Sequence, residues 1–145
     1  MYTYSCSERC PYAVAQMYEL VKDIEAYPSF VPWCENLIIR SHTGCTIVAD
    51  MFVGMKSIRS NFTSKVVYND DAFIINVSYI DGPFKHLSNV WKFIETPDGC
   101  TIDFYIEFEF KNRLLDLAFK PVFSTVSRRM VAVFLQRAKE VYTVS

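Results

Sequence analysis

A strict alternation of apolar and polar residues between positions 102 and 111 constrains the fold more than any other feature of the sequence. The apolar positions are Ile102, Phe104, Ile106, Phe108 and Phe110. The intervening positions are Asp103, Tyr105, Glu107, Glu109 and Lys111. Because successive side chains of a strand point to opposite faces, this pattern predicts an antiparallel strand with one buried and one solvated face.

The residues after this strand change to the spacing of an amphipathic helix. From Arg113 to Tyr142 the chain has no glycine and a single proline, Pro121. Apolar residues recur three or four positions apart, at Leu115, Phe119, Val122, Phe123, Val126, Met130, Val133, Phe134 and Val141. This spacing predicts a long helix, bent or interrupted at Pro121, whose apolar stripe covers the sheet.

The first hundred residues have the pattern of a sheet preceded by one helix. They predict a short strand over Tyr2–Ser7, a helix from Pro11 to about Tyr27, and successive strands from Glu35 onward. The turns fall at "HTG", "NDD" and "PDG". The fold class is therefore α+β, a curved antiparallel sheet wrapped around the last helix, in a single domain over residues 1–145.

Composition and charge exclude several classes of protein. The 145 residues are 51% hydrophobic, which excludes disorder, and 15 basic against 16 acidic residues give a net charge of −1. No global field therefore attracts DNA or an anionic membrane, although local patches stay open. No run of residues approaches the length of a transmembrane helix, so any membrane contact is peripheral.

The five cysteines predict free thiols in a reducing compartment. Their number is odd, and no two of them have the C-x-x-C spacing. The first residues of the chain also lack the pattern of a signal sequence. Cys6 and Cys10 with His42 or His86 match no common zinc spacing, so no metal is expected. We expect a cytoplasmic bacterial protein; peripheral contact at the inner membrane and a processed organellar origin both stay open.

Three strings of sequence resemble a known family. "DIEAYPSFVPWCENLII", "DGPFKHLSNVWKF" and "IDFYIEFEFKNRLL", followed by "MVAVFLQRA", are similar to the coenzyme Q-binding proteins and their bacterial relatives, the RatA ribosome association toxins. Both belong to the START-like polyketide cyclase and lipid-transfer superfamily. The resemblance implies a helix-grip fold, in which about seven strands enclose a tunnel for an apolar ligand.

The resemblance implies two alternative functions. One is binding of ubiquinone or a similar isoprenoid lipid to support its delivery or use in respiration, without a known reaction or required cofactor. The other is binding of the large ribosomal subunit, which blocks subunit association. The sequence leaves both open.

Bulky apolar residues of the predicted sheet face and last helix are the candidate ligand-binding residues. They are Trp33, Phe62, Tyr79, Phe84, Leu87, Trp91, Phe93, Phe104, Phe108, Phe119, Phe123 and Met130. Periodicity alone also fits a solid core, whereas the resemblance favours a cavity. Lys85 and His86 are either solvated or in contact with a polar headgroup.

The stretch "YPSFVPWCENL" presents rings and prolines on a short connection. Its prolines predict an extended backbone, and Tyr27, Phe30, Val31 and Trp33 either plug one end of the sheet or line a tunnel mouth. Basic residues mixed with apolar ones at Lys111, Arg113, Lys120, Arg128 and Arg129 fit a bilayer interface, rRNA phosphates or an ordinary solvated face.

Catalysis is not expected. The sequence contains no nucleophile elbow, P-loop or H-E-x-x-H motif. The acidic residues of the alternating strand fall on its solvated parity, and Asp50 and Asp81, as candidates for buried acids, form no constellation.

Overall fold

One antiparallel sheet dominates the computed structural model, which describes residues 1–55 and 58–142. Within these residues its seven strands are β1 Tyr2–Cys10, β2 Cys34–Thr43, β3 Thr46–Met55, β4 Ile58–Asn69, β5 Ile74–Asp81, β6 Phe84–Thr96 and β7 Gly99–Phe110. Their spatial order is β1-β7-β6-β5-β4-β3-β2, so the first strand pairs with the last. The predicted α+β fold, with a sheet of about seven strands, is confirmed.

The first helix is shorter than predicted. The helix α1 spans Val14–Lys22, and Asp23 (φ −78°, ψ 74°) leaves the helical conformation. A 3-10 helix then runs over Ile24–Ser29 and contains Pro28, so the expectation of an extended backbone is wrong here. Pro28 is tolerated because the fixed φ of proline suits a helical turn and this short element needs few backbone donors.

The C-terminal layer is a bent series of short helices. It consists of α2 Arg113–Phe119, a 3-10 turn over Lys120–Val122, α3 Phe123–Arg129 and α4 Ala132–Val141. The first interruption falls at Pro121, as predicted. The second, after Arg129, was not predicted, because it lacks proline and glycine; the Met130 amide instead donates to the Ser127 carbonyl, an i→i−3 bond that tightens the turn.

Irregular pairing curves the sheet around this layer. Register shifts occur twice between β2 and β3, once between β4 and β5 at Thr63/Ser64, and once between β6 and β7 at Phe84/His86. Such bulges bend a strand and increase its twist. At the start of β2, Glu35 accepts a 2.5 Å hydrogen bond from Arg59 on β4, which links the two strands across β3.

Two hydrophobic clusters fill the space between sheet and helices. The larger one packs α1 and α4 against the middle of the sheet, around Met17, Trp91 and Phe134. The smaller one packs α2 and α3 against the strand ends, around Phe108 and Phe119. No helix among the described residues is long and apolar enough to cross a bilayer.

Candidate functional site

A cavity of about 200 Å³ lies between the concave face of the sheet and the C-terminal helices. Strands β3 to β7 supply most of its wall, α2 adds Leu115 and Phe119, and the residues that follow add Val126, Met130 and Phe134. No charged side chain belongs to the part of the wall that the described residues form. The cavity is therefore suited to an apolar molecule.

Most of the candidate residues lie around this cavity. Nine of the twelve are in its wall: Trp33, Phe62, Phe84, Leu87, Trp91, Phe104, Phe108, Phe119 and Met130. Trp91 packs edge-on against Phe104 and Phe134, with ring centroids 4.7 and 5.0 Å apart. Alternation on β6 and β7 places these rings on one face, and the helices do not fill the space between all of them.

Three candidate residues lie outside the wall: Phe93 is buried in the core, whereas Phe123 and Tyr79 are half-buried and pack against it. Phe93 stacks on Trp91 and meets Tyr18 of α1, which covers that part of the sheet. Phe123 packs against Tyr2. Tyr79 packs against the ring of Phe84, and its hydroxyl accepts a 3.2 Å hydrogen bond from the Phe84 amide. Helix packing and local bonding direct these rings away, which strand parity alone does not reveal.

The proline-containing segment before β2 contributes both to the seal and to the cavity. Tyr27, Val31 and Trp33 are in the wall, whereas the ring of Phe30 packs on Phe134 of α4 at 5.4 Å. The Tyr27 hydroxyl donates a 2.5 Å hydrogen bond to the Val21 carbonyl, and burial raises the pKa of this phenol. The sequence left open whether this segment plugs the end of the sheet or lines the cavity. In the structure Phe30 packs against the helix, whereas Tyr27, Val31 and Trp33 line the cavity.

The sequence analysis missed the small and polar members of the wall. Ala49, Ser60 and Ser64 share the inward parity of their strands with Met51 and Phe62. Strand parity alone would identify them, whereas a selection of large aromatic side chains does not include them. Ala49 and Ser64 are buried and lie directly opposite each other on β3 and β4. Because both side chains are small, they leave space in the cavity at this point.

The side chain of Asn89 is a polar group in the wall that two hydrogen bonds fix in position. Its side-chain oxygen accepts a 3.0 Å hydrogen bond from the Trp91 indole, and its side-chain nitrogen donates a 2.8 Å bond to the Tyr105 carbonyl. An amide can donate two hydrogen bonds and accept two, so one of each is left for a ligand. Together with the Ser60 and Ser64 hydroxyls, it can bind a carbonyl or hydroxyl group of an otherwise apolar molecule.

The candidate headgroup residues lie away from the cavity wall. Lys85 and His86 are exposed, and the His86 Nε2 lies 2.6 Å from the Glu107 carboxylate on the solvated face of the sheet. Hydrogen bonds from Tyr105 and from His86 hold the pKa of Glu107 below its usual range. The bulge at Phe84/His86 turns these two side chains outward while Phe84 and Leu87 point inward.

The acid candidates also lie outside the wall. Asp81 is exposed, whereas Asp50 is buried on the parity opposite to Ala49 and Met51. Its carboxylate accepts 2.6 Å hydrogen bonds from Thr63 and from Arg40, which lower its pKa in that order. Among residues 1–55 and 58–142, no group of three His, Cys, Asp or Glu side chains could hold a metal.

A second hollow, of about 270 Å³, lies outside the cavity at the end of the sheet. Trp33, Met55 and Val126 belong to the walls of both spaces, so these three side chains form the partition between them. Pro121 and Arg129 line the outer hollow.

An antiparallel sheet that grips a C-terminal helical layer around an apolar cavity defines the START-like, helix-grip class of proteins. The chain belongs to the family described as polyketide cyclase / dehydrase and lipid transport, which it matches over residues 10–135. The resemblance noted in the sequence is thereby confirmed.

Two relatives illustrate the range of this family. Ribosome association toxin RatA of Escherichia coli K12 is 39% identical over 92% of this chain and 84% of the toxin. Coenzyme Q-binding protein COQ10 homolog B, a mitochondrial protein of Xenopus laevis, is 31% identical over 96% of this chain and 59% of that protein. Neither name describes an enzyme.

Solved structures share the fold. An 18 kDa protein of Caulobacter crescentus is 34% identical, with a TM-score of 0.79 over 97% of this chain and 98% of that one. The Zhui aromatase/cyclase of Streptomyces sp. R1128 has a TM-score of 0.83 over 95% of this chain and 93% of its own, at 14% identity. At that identity the likeness to the enzyme concerns the fold alone.

Proposed function

We propose that the protein binds ubiquinone or a similar isoprenoid lipid in the cavity and supports its delivery or use in respiratory electron transport. The observation that carries the proposal is the apolar wall, which offers hydrogen-bonding groups at Asn89, Ser60 and Ser64 and no charge among the described residues. A quinone ring has the same character, apolar with carbonyl oxygens. Binding requires no cofactor, and the proposed location is the cytoplasm, with peripheral contact at the inner membrane.

The size of the cavity limits what it holds without movement. An apolar cavity of about 150 Å³ accommodates a benzene ring, whereas pockets for drug-sized ligands measure about 300–1,000 Å³. The space of about 200 Å³ therefore suits a substituted ring. An isoprenoid tail needs the partition at Trp33 to open into the outer hollow, and each CH₂ it buries adds about 0.8 kcal/mol to the binding free energy.

We propose binding rather than catalysis. General acid–base chemistry needs a titratable side chain within hydrogen-bond reach of the substrate. Asp50 and His86 are hydrogen-bonded outside the cavity wall, and the exposed Asp81 also lies outside it, so none of them is placed for this role.

Tryptophan fluorescence tests the proposal directly. The sequence contains two tryptophans, Trp33 and Trp91, and both lie in the cavity wall, so the whole indole signal reports on this site. Titration with a short-chain ubiquinone should quench the signal to saturation. Ala49→Phe, which fills the space opposite Ser64, should weaken binding by at least about tenfold. The exposed Ile94→Ser is the matched control and should bind as wild type.

A second candidate function is inhibition of translation through binding of the large ribosomal subunit. The observation that favours it is that RatA shares 39% identity with this chain, against 31% for the coenzyme Q-binding relative. Co-sedimentation with the large subunit that survives moderate salt, and that Ala49→Phe leaves unchanged, would support this function. Absence from ribosomal fractions would exclude it.

A further inference from the structure

The outward face of α2 exposes two leucines beside the cavity. Leu114 and Leu117 are 76% and 53% exposed, although the neighbouring Leu115 and Phe119 of the same seven-residue helix are in the cavity wall. Residues three apart on a helix lie side by side, so the two exposed leucines form one patch. The helix α2 therefore lies between the cavity on its inner side and the leucine patch on its outer side.

Basic side chains surround the leucine patch. Lys111, Arg113 and Lys120 are exposed around it, and none of them forms an ion pair with a described residue. Residues 111–129 contain five basic residues and one acidic residue, Asp116, although the chain as a whole carries a net charge of −1. This segment is therefore positively charged, although the chain as a whole is not, and it carries the most exposed leucine, Leu114.

We propose that this face, formed by Arg113, Leu114 and Leu117 of α2 and by Lys120 directly after it, docks on an anionic lipid bilayer. A helix with leucines on one face and basic residues beside them lies in the bilayer interface, with the apolar side chains among acyl chains and the cations at anionic headgroups. Two leucines are too few for a stable protein interface, which buries about 800 Å² on each partner. Ribosomal RNA would match the charge but gives no reason for the leucines.

Docking in this orientation places the cavity against the bilayer. The same helix would then contact the membrane through Leu114 and Leu117 and the bound lipid through Leu115 and Phe119. A lipid could pass between bilayer and cavity by displacement of α2 without crossing water. This role, but not the geometry of the face, rests on the proposed lipid-binding function.

Vesicle co-sedimentation of the full chain tests the inference. Wild type should bind vesicles of phosphatidylcholine with phosphatidylglycerol more tightly than phosphatidylcholine alone, and salt should weaken the difference. Leu114→Ser with Leu117→Ser should reduce vesicle binding by at least about tenfold. Ile38→Ser with Ile94→Ser, at positions 38% and 48% exposed on the sheet, is the matched control and should bind as wild type.

Charge variants complete the test. Lys111→Gln, Arg113→Gln and Lys120→Gln together should abolish the preference for phosphatidylglycerol. Vesicle binding that survives the leucine substitutions overturns the inference, as does a wild type that binds ribosomal subunits but no vesicles. Quinone quenching without vesicles separates the two proposals: quenching with no vesicle binding contradicts docking alone, and vesicle binding with no quenching contradicts the proposed ligand alone.

Discussion

The Tyr2 hydroxyl donates a 3.1 Å hydrogen bond to the backbone carbonyl of Asp116, which ties the first strand to α2. The Tyr2 ring stacks on Phe108 with centroids 5.1 Å apart and meets Phe119 edge-on at 5.5 Å. Burial, followed by Asp116, raises the pKa of Tyr2 to about 12, so the phenol stays protonated and able to donate at neutral pH. The edge strand therefore holds in place the helix that covers the cavity.

Tyr2→Phe should loosen α2 selectively. Loss of this hydrogen bond should lower the free energy of unfolding by about 1 kcal/mol and speed amide hydrogen exchange within Arg113–Phe119. Tyr142→Phe is the control, because that hydroxyl donates a 2.9 Å bond to the Gln16 carbonyl elsewhere in the molecule. Equal exchange in α2 for wild type and Tyr2→Phe would contradict the role given to Tyr2.

Two glycines should differ sharply in their tolerance of alanine. Gly99 has φ +154°, and a Cβ there would collide with the backbone of Cys10 and Pro11. Gly44 has φ +58° and open space where a Cβ would lie. Urea unfolding should show a loss of about 3 kcal/mol or more for Gly99→Ala, against about 1 kcal/mol for Gly44→Ala. Similar losses at both positions would show that backbone strain, and not the close approach at Gly99, dominates.

The five thiols should differ in reactivity toward a thiol reagent at neutral pH. Cys45 is exposed and should react first, whereas Cys10, Cys34 and Cys100 are buried. Burial raises the pKa of Cys34 to about 11, and burial together with the neighbouring Cys10 thiol raises the pKa of Cys100, so little thiolate is present. We expect one fast thiol, lost in Cys45→Ser, a slower reaction of the half-buried Cys6, whose pKa burial raises, and release of the three buried thiols only on unfolding. Fast modification of Cys34 or Cys100 in the native protein would contradict this packing.

Asp50 should make the free energy of unfolding depend on pH in the acid range. Hydrogen bonds from Thr63 and Arg40 lower its folded-state pKa, so its contribution is complete above the ordinary aspartate pKa of about 4 and is lost as the pH falls further. At neutral pH, Asp50→Asn should reduce the free energy of unfolding by about 2 kcal/mol. The difference between wild type and variant should shrink toward pH 3, roughly a unit below the aspartate pKa. A difference that stays constant from neutral to acid pH would exclude this pairing.

The sequence predicted the sheet better than the connections and the site. The alternation around Phe104 and Phe108 correctly predicted their strand and its inward face. With a period of two and one buried face, only one orientation of the strand buries its apolar residues. The end of α3 at Arg129 and the 3-10 turn around Pro28 depend on how the chain curves over the sheet, which local sequence does not encode. Phe93 was assigned to the ligand by strand parity and Phe123 by helical spacing, both with their size, yet whether a ring meets a cavity or a neighbour depends on how the helices are placed.

Residue type is also a poor predictor of which polar side chains can contact a ligand in this fold. His86 stands out in the sequence because imidazole is a versatile donor, but the bulge in β6 turns it to the solvated face. Asn89 and Ser64 belong to no recognisable motif in the sequence, although their inward parity places them in the cavity wall.

Native mass spectrometry of the purified protein, followed by organic extraction of bound molecules, tests the central claim most directly. We predict a stoichiometric apolar molecule with a quinone or isoprenoid structure on wild type, its absence from Ala49→Phe, and its retention by Ile94→Ser. A wild-type protein that is purified empty, and whose Trp33 and Trp91 fluorescence does not respond to added ubiquinone, would contradict lipid binding in the cavity.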